Sequence, residues 1–432
     1  EALKAAMFAA RPWALPLDEL REYFGEKIAL YFAWVGYLTT CLGIQCIAAL
    51  GVGVWSGYTY FKTGSLVHYG SIAYAVIIPA WVNILLEYWK QKEVYLAMRW
   101  GMCEFEDKET ERPEFRGVII QSYIDGSDMK YYPENKAAKK RFKARAAILG
   151  MLMFVIGCVC SIVAFKIFLN KVSEWGQKYG PFIASFANGV LVEAFSILVA
   201  SNLALYLANY ENHRTDTEYE DSLILKMFVF EVTSSYSQLY YIAFLAQSTS
   251  TICVDNEDCG YKLVISLVGI MFSKCFGQNV GEVALPMLLR HYSHAENEAK
   301  GHGDKEMTRA EQEYMMHEYD PIFEMVLDYQ EIATIFGFVV LFTAAFPVGP
   351  LIAFVGFYME IRVDAFKLGQ HRRPVPRGAQ DVGHWMTVFK LFVAASIVTN
   401  SALVVFRSDV LGERTPTEKA WIFNALLYVL FG

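Results

Sequence analysis

Charged residues are scarce in this chain of 432 residues: Asp, Glu, Lys and Arg make up 19%, while 55% are hydrophobic and the mean hydropathy is +0.27. Soluble domains carry about 25% charged residues. The sequence also lacks a glycine-rich phosphate loop, a Ser-His-Asp arrangement, nucleic-acid-binding motifs and internal repeats. These absences argue against nucleic-acid binding and against the common hydrolases and nucleotide-binding enzymes. The composition indicates a membrane protein.

Long apolar stretches recur along the chain and predict an all-α, polytopic fold with ten transmembrane helices. The predicted spans, one to ten, are 28–55, 71–97, 146–169, 182–207, 223–246, 263–289, 325–346, 350–366, 386–406 and 419 to the end. The tenth has only 14 residues, too few to cross a hydrocarbon core of ~30 Å. Because the first residue is Glu1 rather than Met, and no signal peptide is visible, we expect a fragment of a longer protein whose last helix is truncated.

Lys and Arg are distributed unevenly among the connections between these spans. The basic connections are 90–145, 290–310 and 362–377, and the poorer ones are 56–70, 170–181, 247–262 and 407–418. The positive-inside rule places the basic connections and the amino terminus in the cytosol. The expected parts are a cytosolic segment 1–27 and a transmembrane domain 28–432 with cytosolic loops 98–145, 290–322 and 367–383. The choice between the plasma membrane and the endoplasmic reticulum stays open.

Acidic residues interrupt predicted spans six, seven and eight. They are Glu282, Asp328, Glu331, Glu360 and Asp364. The i,i+3 pair of span seven and the i,i+4 pair of span eight each lie on one face of a helix. Glu331 precedes Phe346 by 15 residues and Glu360 follows Pro347 by 13, so both lie roughly 20 Å from the turn between the spans at ~1.5 Å per residue. The two pairs therefore face one another at matching depth.

This acidic cluster predicts a cation site. A carboxylate in hydrocarbon costs ~2.5–3.5 kcal/mol, so five of them need a compensating partner. All are hard oxygen donors without His or Cys beside them, which favours Ca²⁺, then Mg²⁺ or Mn²⁺, over zinc or copper. Five negative charges exceed the charge of one divalent ion, so two Ca²⁺ ions are expected. The alternatives are solvated carboxylates at helix ends or a proton relay.

Predicted span six contains residues that weaken a helix near Glu282, namely Gly277, Gly281 and Pro286. They permit a kink or local unwinding, and close packing through small residues is the alternative. We expect the lower half of this span to approach spans seven and eight when Ca²⁺ compensates the carboxylates, and to be repelled without it. That is an electrostatic switch with a gating hinge.

Predicted spans four and five are unusually polar for membrane helices. The residues that would line a polar face are Ser185, Asn188, Glu193, Ser196, Ser234 and Gln238. Interhelical hydrogen bonding is one explanation. The other is a groove open to lipid, along which head groups cross while acyl chains stay in the bilayer. Glu193 and Glu231 would hinder chloride on such a path.

Most of the eight cysteines lie in apolar runs and resemble small hydrophobic residues. Cys253 and Cys259 differ, because they bracket a loop predicted to face the lumen or the cell exterior. Oxidation is possible there, and a local disulfide is expected.

Several segments resemble the anoctamins, namely 21–39, 86–101, 112–117, 212–230 and 346–367. The resemblance covers nearly the whole chain in order. It implies a ten-span homodimer that acts as a Ca²⁺-activated phospholipid scramblase or, in some members, as a Ca²⁺-activated chloride channel. It also implies that the five acidic residues bind Ca²⁺, with a weaker sixth ligand at Gln278, where animal channels carry Asn. An amide oxygen can coordinate Ca²⁺.

The expected function is therefore Ca²⁺-activated, passive lipid flip-flop with non-selective ion leakage, as in fungal anoctamin scramblases. No catalytic residue is expected, since lipid moves without being altered. The alternatives are a Ca²⁺-activated chloride channel and a membrane tether or regulator that transports nothing. A proton-coupled carrier is less favoured, because no His lies in the spans. Expected partners are phospholipids, Ca²⁺ and a second copy of the chain, without nucleic acid.

Overall fold

The computed structural model describes residues 2–63, 69–121, 126–172, 200–246, 259–279, 308, 316, 318–407 and 414–431. Contacts divide the chain into two compact units, described separately below. The first comprises Glu1–Phe105 with Gly260–Gly432, and the second comprises Glu106–Cys259.

The described residues are predominantly helical. The α-helices are α1 (Ala2–Ala9), α2 (Leu17–Phe24), α3 (Glu26–Thr63), α4 (Tyr69–Trp100), α5 (Glu134–Val172), α6 (Ser201–Glu211), α7 (Asp216–Tyr240), α8 (Cys259–Phe272), α9 (Phe323–Leu341), α10 (Gly349–Leu368), α11 (Trp385–Arg407) and α12 (Pro416–Phe431). Short 3₁₀ turns cover Pro12–Ala14 and Glu106–Lys108, and π-helical stretches cover Tyr241–Leu245 and Ser273–Gln278. The two strands are β1 (Val118–Gln121) and β2 (Asp128–Tyr131).

Four helices are long and apolar enough to cross a membrane within the described ranges. They are Glu26–Lys62, Tyr69–Trp100, Gly260–Gly277 and Trp385–Phe406. The chain is an integral membrane protein with several apolar helices, as the composition predicts. Helices α9 and α10 are not among the four, and each carries three or more charged residues within its 19 or 20 positions.

In the first unit, α10 packs along α3, while α11 packs against α4, α9 and α12. Large aromatic side chains join three of these helices: the Trp34 ring of α3 lies 4.8 Å from that of Trp89 on α4 and 4.7 Å from that of Phe389 on α11. All three are fully buried. Aromatic pairs at such distances add to the area that they bury, so this cluster fixes α3, the helix that α10 packs against.

The turn between α9 and α10 is held by α11. Asn400 accepts a hydrogen bond from the Ala344 amide at 2.9 Å and donates one to the Val340 carbonyl at 2.8 Å, which satisfies backbone groups left open where α9 ends. Pro350 then occupies the first turn of α10, where its missing N–H costs nothing. The turn that the sequence predicts between spans seven and eight is thus held in place.

The second unit contains α5, α6, α7 and an antiparallel pair of strands in which Val118 faces Tyr131. The all-α expectation is therefore too strict, because the β-branched run at β1 pairs with β2. Gly126, shortly before β2, has a φ of 69°. Helix α5 also begins at Glu134, inside the predicted loop 98–145 and before the predicted span at 146. Its first turns carry several of the basic residues of that loop, namely Lys136, Lys139, Lys140, Arg141, Lys143 and Arg145.

Candidate metal centre on α9 and α10

Four of the five predicted acidic ligands are buried on two neighbouring helices. Asp328 and Glu331 on α9 are 4% and 9% exposed, and Glu360 and Asp364 on α10 are each 2% exposed. Asp328 and Glu360 are both near enough to Asp364 for their negative charges to repel it. Like charges held together away from water need compensation, and the surrounding side chains supply part of it.

Asp364 is held by the first long helix of the unit. The Tyr31 hydroxyl on α3 donates a hydrogen bond to Asp364 Oδ2 at 2.5 Å. Tyr31 is fully buried, and its ring meets that of Tyr329 on α9 edge-on with centroids 5.0 Å apart. The other oxygen, Asp364 Oδ1, is buried and has no hydrogen-bond partner among the described residues.

Asp328 is held by a cation from α10. The Lys367 ammonium lies 2.7 Å from Asp328 Oδ1, and the Tyr319 hydroxyl donates to Asp328 Oδ2 at 3.4 Å. Arg362, which the helical period turns away from Glu360, donates to the carbonyls of Tyr358 and Ala10. The sequence pattern gave no reason to single out Lys367, because a Lys near a helix end is ordinarily solvated.

Glu360 contacts the side-chain amide of Asn279, a residue that no sequence pattern singles out. Asn279 Nδ2, just after the π-helical stretch, donates to Glu360 Oε2 at 2.7 Å and to the Cys275 carbonyl at 2.8 Å. Asn279 Oδ1 is buried and has no hydrogen-bond partner among the described residues. The predicted weaker ligand, Gln278, lies next to it, but its side chain is outside the described residues. The sequence did offer one indication of Asn279, because it directly follows the predicted ligand Gln278 and carries the same kind of side-chain amide.

The π-helical stretch Ser273–Gln278 lies directly against α10. A Cβ on Gly356 would come 2.7 Å from the Cys275 sulfur, a distance that packed atoms do not tolerate. Glu331 and Glu360 both lie close enough to the Cys275 sulfur for their negative charges to act on it. Gly356 therefore permits the close approach that brings Asn279 to Glu360, and predicted spans six, seven and eight meet at this point.

The chemistry of these donors fits a hard cation. Carboxylates and an amide supply oxygen atoms. Asp364 Oδ1 and Asn279 Oδ1 are buried without a hydrogen-bond partner in the described part of the chain. Among the described residues, no three His, Cys, Asp or Glu side chains are close enough to enclose a metal ion as they stand. A complete coordination shell therefore requires these side chains to move or a ligand such as Glu282, which lies outside the described ranges.

Several other predicted residues also lie outside the described ranges. They are Gly281, Pro286, Ser185, Asn188, Glu193, Ser196 and Cys253, as well as the side chain of Cys259 at the start of α8. Gly277 is described and belongs to the π-helical stretch. A Cβ there would meet Ser273 Oγ at an ordinary 3.5 Å, so close packing does not explain this glycine. Its role as a hinge stays a prediction.

Two of the predicted groove residues, Ser234 and Gln238, lie half-buried on α7. The hydroxyls of this region donate within their own helix: Thr233 to the Val229 carbonyl at 2.9 Å, and Ser234 to the Glu231 carbonyl at 3.1 Å. Helix α7 then continues into the π-helical stretch Tyr241–Leu245. These hydroxyls thus donate to carbonyls of α7 itself and do not need an acceptor on a neighbouring helix.

Comparison with known proteins identifies the family. Residues 20–432 match the family described as "Anoctamin: Calcium-activated chloride channel". Human (Homo sapiens) anoctamin-7 is 30% identical over 92% of this chain and 49% of its own length. Human anoctamin-3 is 27% identical over 91% of this chain and 47% of its own length. Human anoctamin-5 is 25% identical over 92% of this chain and 51% of its own length.

The chain spans about half the length of these relatives. The family includes Ca²⁺-activated chloride channels and lipid scramblases rather than conventional enzymes. A match over residues 20–432 covers nearly the entire sequence, in agreement with the buried acidic pairs and the apolar helices. This chain belongs to the anoctamin family.

Proposed function

We propose that this protein is a Ca²⁺-activated phospholipid scramblase, in which a cation bound among α9, α10 and predicted span six opens a path for lipid head groups. The observation that carries the proposal is the burial of two acidic pairs on facing helices, with Asp364 Oδ1 and Asn279 Oδ1 lacking hydrogen-bond partners among the described residues. Buried carboxylates persist where a cation compensates them.

The proposed ligands are five carboxylates, those of Glu282, Asp328, Glu331, Glu360 and Asp364. Asn279 is added to them as an amide ligand, and Gln278 stays the weaker candidate. When bound, Ca²⁺ would neutralise charge that the helices alone leave partly uncompensated, and five carboxylates suit two ions. Asn279 already contacts Glu360, and a half-turn of its side-chain amide would present Oδ1 instead of Nδ2. That exchange of amide atoms is what a switch from hydrogen bond to metal ligand requires.

The proposed switch uses the contact between predicted span six and α10. Carboxylate repulsion favours separation of these elements, while the Gly356–Cys275 contact and the Asn279–Glu360 hydrogen bond hold them together. The π-helical stretch beside them is of a kind often found at functional sites. Gly277, Gly281 and Pro286 would serve as the hinge, so Gly281→Ala should alter Ca²⁺ sensitivity without removing a ligand.

The proposed lipid path is the polar groove of predicted spans four and five, in a homodimer with a cytosolic amino terminus. On α7 the hydroxyls of Thr233 and Ser234 bond within their own helix, which leaves their acceptor lone pairs available to a passing head group. This supports a groove over a set of interhelical hydrogen bonds. Such an open path would also leak ions.

The test is reconstitution of the full-length protein in liposomes, with labelled-lipid accessibility and chloride efflux read from one preparation. Replacing Ser185, Asn188 or Glu193 by Leu should slow lipid movement while leaving Ca²⁺ binding intact, because these positions lie outside the acidic cluster. Asp364→Asn is the matched control, since it should shift Ca²⁺ dependence without altering flux at saturating Ca²⁺.

The second candidate function is a Ca²⁺-activated chloride channel, which the description of the matching family favours. Chloride efflux without lipid movement at saturating Ca²⁺ would overturn the scramblase and establish the channel. Absence of both fluxes, in a preparation that still binds Ca²⁺, would point to a tether or regulator.

A further inference from the structure

A lysine reaches into the acidic cluster from the end of α10. Lys367 lies three positions after Asp364 and one before the last residue of the helix. Its ammonium is 2.7 Å from Asp328 Oδ1 on α9, and the two side chains are only 14% and 5% exposed. An ion pair this shielded from water is screened far less than a surface pair.

The two ends of the cluster differ because of this pair. At Asp328 both carboxylate oxygens are engaged, Oδ1 by Lys367 and Oδ2 by the Tyr319 hydroxyl. At Asp364 only Oδ2 is engaged, by Tyr31, and Oδ1 has no hydrogen-bond partner among the described residues. A cation entering the cluster thus meets a buried oxygen without a hydrogen-bond partner at Asp364, and a carboxylate with both oxygens engaged at Asp328.

We infer that Lys367 is a tethered counter-ion that competes with Ca²⁺ for Asp328 and thereby sets the Ca²⁺ affinity of the centre. The inference rests on the proposed function, because it takes Asp328 to be a Ca²⁺ ligand. An ammonium and Ca²⁺ repel each other and require the same oxygens, so Ca²⁺ binding at Asp328 displaces Lys367. Its position near the end of α10 lets the flexible stem carry the ammonium to water.

This role predicts opposite effects on affinity and on stability. Lys367→Met keeps an unbranched apolar stem and removes the charge, so Ca²⁺ should bind more tightly, on the order of tenfold, a typical size for coupling between two ligands. The same change leaves Asp328 without its cation, so the variant in chelator should melt at a lower temperature than the parent. The stabilisation by saturating Ca²⁺ should therefore be larger in the variant.

The experiment measures Ca²⁺ binding by calorimetry and by Ca²⁺-dependent melting temperature, on full-length protein in detergent. Arg362→Met is the matched control, because it removes one positive charge from the same helix. The Arg362 guanidinium donates to backbone carbonyls rather than to the acidic cluster. Lys367→Arg keeps the charge and should keep an affinity close to that of the parent. If Lys367→Met does not yield folded protein, Lys367→Gln replaces it in the same comparison.

A double-mutant cycle isolates the pair from general electrostatics. In an Asp328→Asn background, Lys367→Met should no longer raise Ca²⁺ affinity, because the shared carboxylate has been removed. Unchanged or weaker Ca²⁺ binding by Lys367→Met, or equal tightening by Arg362→Met, would overturn the inference while leaving the metal centre standing. A parent protein that binds no Ca²⁺ would instead overturn the proposed function itself.

Discussion

The Tyr31 hydroxyl donates a hydrogen bond to Asp364 Oδ2 across a sequence separation of 333 residues. Tyr31 lies on α3, which the sequence presents as an ordinary apolar span, whereas Asp364 belongs to the acidic pair of α10. Through this hydrogen bond, α3 lines one side of the candidate metal centre. It also gives one buried carboxylate oxygen a donor, which a buried carboxylate needs.

Tyr31→Phe should destabilise the protein in chelator by about 1–3 kcal/mol, the usual cost of a buried group left without its hydrogen bond. Thermal unfolding in detergent measures the loss. Bound Ca²⁺ would satisfy the same carboxylate, so the loss should shrink at saturating Ca²⁺. Tyr37→Phe is the control on the same helix, because it removes a hydrogen bond to the Leu85 carbonyl and should cost the same in both conditions. An equal loss for Tyr31→Phe in chelator and in Ca²⁺ would separate Tyr31 from the metal centre.

Asp364→Asn and Glu331→Gln should each shift Ca²⁺ activation to concentrations at least about tenfold higher, since each removes a charged ligand from one shared centre. Flux in proteoliposomes across a Ca²⁺ series gives the midpoint, and calorimetry gives the binding. Glu87→Gln is the control, because this exposed carboxylate on α4 pairs with Lys90 rather than with any residue of the acidic pairs. Superimposable curves for the parent and both ligand variants would refute the site assignment.

Gly356→Ala should weaken the contact between α10 and the π-helical stretch, because the added methyl group would lie 2.7 Å from the Cys275 sulfur. Overpacking of this kind costs about 1–3 kcal/mol. The melting temperature should fall, and the Ca²⁺ midpoint should move because Asn279 is carried by the same stretch. Gly269→Ala is the control, since a Cβ at Gly269 meets nothing within 4 Å. If both variants behave alike, the close approach at Gly356 has no bearing on Ca²⁺ binding.

Glu211, in the connection after predicted span four, should make stability fall in acid. Its carboxylate contacts Lys226 Nζ at 2.7 Å, Ser222 Oγ at 2.6 Å and His213 Nε2 at 2.9 Å. Burial raises the pKa of Glu211, but the hydrogen bonds with His213, Lys226 and Ser222 outweigh it and bring the pKa from 4.5 to about 2. A pKa below its unfolded value stabilises the fold above about 4.5, and this stabilisation disappears as the pH falls through about 2.

Glu211→Gln should accordingly cost about 3–5 kcal/mol at neutral pH, because it leaves Lys226 buried without its charge partner. The difference in melting temperature between variant and parent should narrow as the pH is lowered from 5 toward 2. Glu134→Gln serves as control, since its ion pair with Arg141 is exposed and worth at most about 1 kcal/mol. If the difference in melting temperature between Glu211→Gln and the parent stays constant from pH 5 to pH 2, the stabilising role of ionised Glu211 is contradicted.

The sequence alone determined the membrane character, the helical class and the acidic pairs. Low charge and long apolar runs exclude a soluble domain, and helical periodicity places Asp328 with Glu331, and Glu360 with Asp364, without any knowledge of packing. The family resemblance also followed from the sequence, since long motifs in their order need no coordinates, and the family match confirmed it. All of these properties are local along the chain.

Tertiary structure decided which side chains complete the centre. Tyr31, Lys367 and Asn279 carry no motif, and each reaches the cluster only because distant helices pack together, so periodicity along one helix could not reveal them. The close approach through Gly356 likewise depends on a neighbour, Cys275, that lies 81 residues away in the chain. Periodicity gives the face of a helix, but only packing gives the partner of that face.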